Sequence, residues 1–248
     1  MPTLHVERWG EGPPVVLVHG SVAAGEATWA EQRPLAARWE LVVVDRPGYG
    51  RNEPVEREDF EVDAPLVAAL LGEGAHLVGH SYGGVVSLLA AAQRPDAVRS
   101  LSVIEPPAFA LAAGDRDVDS LVAALTNHWE RGPREPEPFL RGFLRLVGSA
   151  IDPPSPLPPP LERGACVLLV ERGPWEAEIP LDALRDAPFP KLVVSGAHHP
   201  AFDAVCDVLE QRLGAERAVI SGQGHTVQRA GPPFNDRLET FLQAAEAA

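Results

Sequence analysis

Apolar residues along the chain follow two alternating rhythms. Short runs, continuous at Val15-Val16-Leu17-Val18 and Leu41 to Val44 and mostly apolar at Ala75 to Val78, Leu101 to Ile104 and Lys191 to Ser195, read as strands, the first two covered on both faces. Between them apolar residues recur at helical spacing: Val62, Leu66, Val67, Leu70 and Leu71, then an Ala-rich stretch ending before Arg94-Pro95. Further on come Phe202, Val205, Cys206, Leu209 and Leu213, and finally Leu238, Phe241, Leu242 and Ala245. Thr3 to Trp9 reads as an edge strand and residues 217–220 as a last strand. A Thr28-x-x-Glu31 capping-box pattern predicts a short helix running through Arg38. Strands alternating with helices predict an α/β fold with a mostly parallel, doubly wound sheet. In such sheets ligands bind beyond the carboxyl ends of the strands.

Residues 107–187 break this rhythm. Helices are expected at 117–130 and 137–148, followed by a Pro-rich stretch over 152–160. Residues 161–172 fit helix and strand equally well. The segment reads as an insertion between strands, a helical cap over the sheet edge, with 1–106 and 188–248 forming the core domain. Phe109, Trp129, Phe139, Phe143 and Trp175 are expected to line a substrate pocket beneath it.

Composition narrows the function classes. An apolar fraction of 45% over 248 residues suffices for a sizeable core. The formal charge of −14 opposes binding to nucleic acid or anionic membrane. Residues 1–10 are polar and mixed, without the pattern of a leader, and no apolar run approaches the ~20 residues of a membrane span. Two isolated cysteines, Cys166 and Cys206, make neither a disulfide framework nor a zinc site, so a reduced, cytoplasmic protein is expected. The histidines lack metal-ligand spacing and no dinucleotide fingerprint follows the first strands, so no metal and no cofactor is implied.

The candidate chemistry centres on residues 75–92. A strand reaches Gly79-His80-Ser81-Tyr82-Gly83-Gly84 and a helix follows. Gly79-x-Ser81-x-Gly83 at a strand-to-helix turn projects a serine hydroxyl from the sheet edge, beside a helix N-terminus with free N–H groups. With His19-Gly20, Asp45-Arg46-Pro47-Gly48-Tyr49-Gly50 and Gly222-Gln223-Gly224-His225, the sequence resembles the α/β-hydrolase family over about two thirds of its length, on both flanks of the insertion. The resemblance implies the α/β-hydrolase fold with a cap inserted after strand 6, and Ser81 as nucleophile.

A serine hydroxyl needs an imidazole to take its proton. His225, on a Gly-rich loop after the last strand, is the expected base. The family's oxyanion hole maps to the backbone N–H groups of Ser21 and Tyr82. His19 resembles a structural histidine of that loop, His80 is expected to pack beneath the turn, and His198-His199 to wall the pocket. The orienting acid departs from the common family pattern, because His199 occupies its usual place. Glu105, directly after a strand, is the favoured substitute. Asp203 is the alternative, with helix capping as its other role. The expected activity is a serine hydrolase cleaving a small or medium carboxylic ester through an acyl-enzyme. Carbon–carbon bond hydrolysis or cofactor-free perhydrolysis would use the same residues, and a non-catalytic small-molecule binding protein is the reading from another class.

Overall fold

In the computed structural model, which describes residues 4–247, seven strands form one sheet. In chain order they are β1 (Val6–Trp9), β2 (Pro14–Val18), β3 (Glu40–Val44), β4 (Ala75–His80), β5 (Val98–Ile104), β6 (Lys191–Ser195) and β7 (Glu216–Val219). Their spatial order is β1-β3-β2-β4-β5-β6-β7, and every neighbouring pair is parallel except β1 with β3. Thr3, where the sequence pattern begins the first strand, lies outside the described residues.

The nine α-helices among the described residues are α1 (Gly25–Thr28), α2 (Phe60–Leu70), α3 (Tyr82–Gln93), α4 (Arg116–Arg131), α5 (Pro136–Leu146), α6 (Pro159–Val170), α7 (Leu181–Asp186), α8 (Pro200–Leu213) and α9 (Pro232–Glu246). Alternate residues of the inner strands feed two separate cores. Val42, Val44 and Val193 pack with α2, α3 and α8, whereas Leu41, Val43 and Val194 pack with Trp29, Trp39 and α9. The continuous apolar runs therefore mark strands buried on both faces, where each large side chain contributes about 1.5–3 kcal/mol.

Three local expectations change. Where one helix is expected through Arg38, the chain makes α1 and then a 3-10 segment, Ala30–Ala37, containing Pro34. Thr28 ends α1 instead of capping a helix, and its hydroxyl donates to the Ala23 carbonyl at 3.2 Å. In α2 the buried face carries Phe60, Ala64, Val67 and Ala68, while Val62 is 59% exposed. The helix is turned to bury Asp63, whose carboxylate accepts from Arg46 Nε at 3.0 Å. Residues 161–172 resolve largely as helix, within α6.

The insertion leaves the sheet after β5. With seven strands among the described residues, the strand numbered sixth by family resemblance is the fifth here. Within it, Val118, Leu121 and Leu125 of α4 join the core shared with α8. A separate cluster holds α5 and α6 together through Phe139, Leu140, Leu144, Leu157, Ala165 and Leu168. Phe139 is thus interior and stacks on His128 at 4.3 Å instead of lining a pocket. No helix among the described residues is long and apolar enough to cross a membrane.

Candidate active site

The turn from β4 to α3 is made at a single residue. Ser81 has φ 52° and ψ −125°, a conformation that costs a side-chain-bearing residue on the order of 1–3 kcal/mol. The flanking glycines are sterically required. A Cβ on Gly79 would collide with the Gly83 carbonyl and Ser87 Oγ, and one on Gly83 with the carbonyls of Val18 and His19. Ser81 N–H donates to the Ile104 carbonyl at 2.8 Å, tying the turn to the end of β5.

Two further loops converge there. Ser81 Oγ donates to His225 Nε2 at 2.8 Å, and His225 Nδ1 donates to Glu105 Oε2 at 2.7 Å. Glu105 is also held at positive φ, 45°, with its own N–H on the Val194 carbonyl of β6. Its second oxygen, Oε1, accepts from Gly196 N–H at 2.7 Å and from His198 Nδ1 at 3.0 Å. Burial alone would raise the Glu105 pKa. Hydrogen bonds from His198 and His225 outweigh it and hold the carboxyl down to about 2. The side chain is therefore an anion across the working pH range.

The alternative acid, Asp203, does not reach this chain of contacts. Its Oδ1 accepts from Ser195 Oγ at 2.5 Å and Arg217 Nη2 at 3.1 Å. Nor does it cap α8; His199 does, its Nδ1 accepting from Ala201 N–H at 3.2 Å. His198, expected in the pocket wall, instead turns inward to Glu105. His80 does pack under the turn, its Nε2 donating to the His225 carbonyl at 2.9 Å, and burial together with the neighbouring His225 lowers its pKa to about 3. His19 bonds the Gly20 carbonyl through Nδ1 at 2.6 Å and accepts from Arg46 N–H through Nε2 at 2.9 Å, shaping the loop after β2. Burial and then the Arg46 charge lower its pKa to about 3, so it stays neutral.

Ser21, on that loop, and Tyr82, first residue of α3, both lie beside Ser81. The Tyr82 N–H belongs to the unpaired first turn of its helix. The Ser21 side chain has a partner that sequence reading missed, Glu171 from the insertion, to which its Oγ donates at 2.6 Å. Glu171 belongs to a second buried charged cluster. There Arg46, fully buried, meets Glu58, Asp63 and Glu171. Burial raises Asp63 to about 6 and Glu171 to about 7 despite that guanidinium. These residues are up to 125 positions apart, and no spacing rule links them.

Two cavities meet at Ser81. The larger, about 220 Å³, is bounded by Val22, Leu144, Val147, Ile151 and Leu161, with the exposed Arg229 at its edge. The smaller, about 20 Å³, is walled by Trp129, Trp175, Phe143 and Phe202, with Glu171 at its side. Phe143 and Val147 of the insertion face both. Glu105, His198 and His225 could also offer a metal three donor atoms within 4.8 Å of one another, although the hydrogen bonds described above already occupy those groups.

Known proteins resemble this chain across its length. The model of the alpha/beta hydrolase family matches residues 15–244. A pimeloyl-[acyl-carrier protein] methyl ester esterase of Aeromonas salmonicida is 36% identical over 110 residues, 43% of each chain, so the match spans less than half of that enzyme. Lipase LipV of Mycobacterium tuberculosis is 27% identical over 250 residues, covering 92% of this chain and 93% of the lipase. Among solved structures, an alpha/beta hydrolase from Sphaerobacter thermophilus superposes with a TM-score of 0.70 at 25% identity, covering 96% of this chain and 95% of that one.

Proposed function

The chain belongs to the alpha/beta hydrolase family, and from that premise we propose that it hydrolyses small or medium carboxylic esters with Ser81 as nucleophile, His225 as base and Glu105 as orienting acid. The observation that carries this reading is the unbroken series of hydrogen bonds from Ser81 Oγ through both His225 nitrogens to a buried carboxylate. The strained backbone at Ser81 supports it as well, since a protein that only binds a ligand has no use for that cost.

Ser81 Oγ attacks the ester carbonyl while His225 Nε2 takes its proton. The carbonyl oxygen becomes an oxyanion facing the backbone N–H groups of Ser21 and Tyr82, donors of a kind worth about 3–4 kcal/mol each in such sites. The His225 proton then passes to the departing alcohol, leaving an acyl-Ser81. Water, deprotonated by the same imidazole, attacks the acyl carbon and releases the acid with Ser81 restored. Glu105 stays ionised throughout. It holds the tautomer with the proton on Nδ1 and stabilises the transient imidazolium.

Residues 107–187 act in this reading as a cap, with Phe143 and Val147 facing the reacting bond. The larger apolar cavity takes the longer arm of the ester and the smaller aromatic one takes a group of about methyl size, since about 20 Å³ holds little more than one water-sized sphere. The test is labelling with a fluorophosphonate probe beside a screen of p-nitrophenyl esters of graded chain length. Ser81→Ala is expected to abolish labelling and nearly all turnover. Labelling that survives the substitution removes Ser81 from its role, and a folded, labelled protein that cleaves diketones but no ester moves the activity to carbon–carbon hydrolysis.

A further inference from the structure

Glu105 receives hydrogen bonds from two histidines, and the proposed chemistry employs one of them. The second, His198, lies between β6 and α8, its Nδ1 3.0 Å from Glu105 Oε1 and its Nε2 3.1 Å from the Val147 carbonyl at the end of α5. A carboxylate and a backbone carbonyl can only accept, so each contact requires an N–H on the ring. A neutral imidazole has one such N–H and an imidazolium has two. Turning the ring over does not remove the demand, because it sets carbon atoms against both acceptors.

We propose that His198 is held as an imidazolium that positions the Glu105 carboxylate and ties it to the pocket wall at Val147. The inference rests on the reading of Glu105 as the orienting acid. Its surroundings agree. Facing His198 are Glu105 from the end of β5, His225 from the loop before α9 with ring centres 5.6 Å apart, and His199 and Asp203 on its own side. Burial works against the cation, but Glu105, the Val147 carbonyl and Asp203 prevail and raise the His198 pKa. His199 is lowered by burial and by His198 itself, so it does not compete as a second cation.

Three consequences follow. Gly196 and His198 together occupy Oε1, leaving Oε2 to His225 alone. The positive charge on His198, its ring centre 5.6 Å from that of His225, repels the imidazolium that His225 becomes during turnover. And because the His198 pKa is raised on folding, the ion pair is fully present below the ordinary histidine value, about 6.5, and is lost as pH rises through the higher folded value. Once neutral, His198 keeps its remaining N–H on the carboxylate and releases the Val147 carbonyl, loosening a wall shared by both cavities.

Nitrogen-15 NMR of the imidazole side chains in the intact protein reads the charge directly. Both His198 nitrogens are expected to be protonated at pH 7, and a neutral tautomer there overturns the proposal. Two variants separate its two bonds, since Asn places its amide near the Nδ1 position and Gln near Nε2. Both remove the cation, so both should move the acid limb of the kcat/KM profile to higher pH. His198→Gln, which loses the donor to Glu105, should also lower kcat about tenfold. His198→Asn, which loses the tie to Val147, should lower kcat less and change KM more. An acid limb unmoved in both His198 variants, or equal losses of kcat without a KM difference, makes the residue merely structural and overturns it. The NMR result stands apart from turnover, so a protein that cleaves no ester would fail the proposed function while leaving the His198 charge measurable.

Discussion

Two buried charged clusters flank Ser81, and they are opposites. Around Glu105 one carboxylate collects donors from Gly196, His198 and His225. Around Arg46 three carboxylates compete for one guanidinium, and Glu58 Oε2 has no hydrogen-bond partner among the described residues. Burial opposes charge in both places. What differs is the supply of donors, and the result is a carboxyl held down to about 2 in one cluster and carboxyls raised to about 6 and 7 in the other. A buried acid is kept ionised by donors aimed at it, and proximity to a cation does not suffice when that cation is shared.

The largest effect should come from breaking the donor-rich cluster. Glu105→Gln keeps the shape but loses the charge that sets the His225 tautomer, so kcat should fall on the order of 10⁴-fold while circular dichroism shows a retained fold. Asp203→Asn, which disturbs contacts to Ser195 and Arg217 and removes a charge that faces His198 without a hydrogen bond to it, should leave kcat near the parent value. The reverse outcome transfers the role of acid to Asp203.

Breaking the donor-poor cluster should cost stability instead. Arg46→Met strands three buried acids, and urea denaturation at pH 8 should show a loss of about 3–5 kcal/mol. At pH 5, where Asp63 and Glu171 take up protons, the loss should shrink; an equal loss at both values contradicts the crowding described here.

The smallest effect sharpens the contrast through pH alone. Raised carboxyls bind protons more tightly in the folded state, so the contribution of Asp63 and Glu171 is fully present below pH ~4 and is lost as pH rises through 6 and 7. Glu105 has the opposite sign, its contribution being present above the unfolded carboxylate value and lost as pH falls through about 2. Glu171→Gln should therefore flatten the decline in unfolding free energy between pH 5 and 8 by roughly 3 kcal/mol at most, and leave the acid end unchanged. An unaltered slope shows that Glu171 is not the titrating group.

Local pattern made parts of this readable in advance. Ser81 is legible because its turn demands small residues at fixed offsets, and Gly79 and Gly83 supply them. Glu105 is legible because it directly follows a buried strand on the side where ligands bind in such sheets. Helix phase was less readable, since the apolar stripe through Val62 ignores that Asp63 is buried by an ion pair. The Thr28 pattern misled for a similar reason: a helix that begins at Gly25 has no use for a cap three residues on.

By itself the sequence determined the alternation of strands and helices, the strained serine, and the histidine and acid placed at strand ends, because each depends on neighbours within a few residues. Only the tertiary structure decided which acid meets His225, that His198 shares it, and that Glu171 reaches Ser21 across 150 positions. The physical reason is that hydrogen-bond partners are chosen by distance and angle between loops brought together at one sheet edge, and separation along the chain carries no trace of that choice.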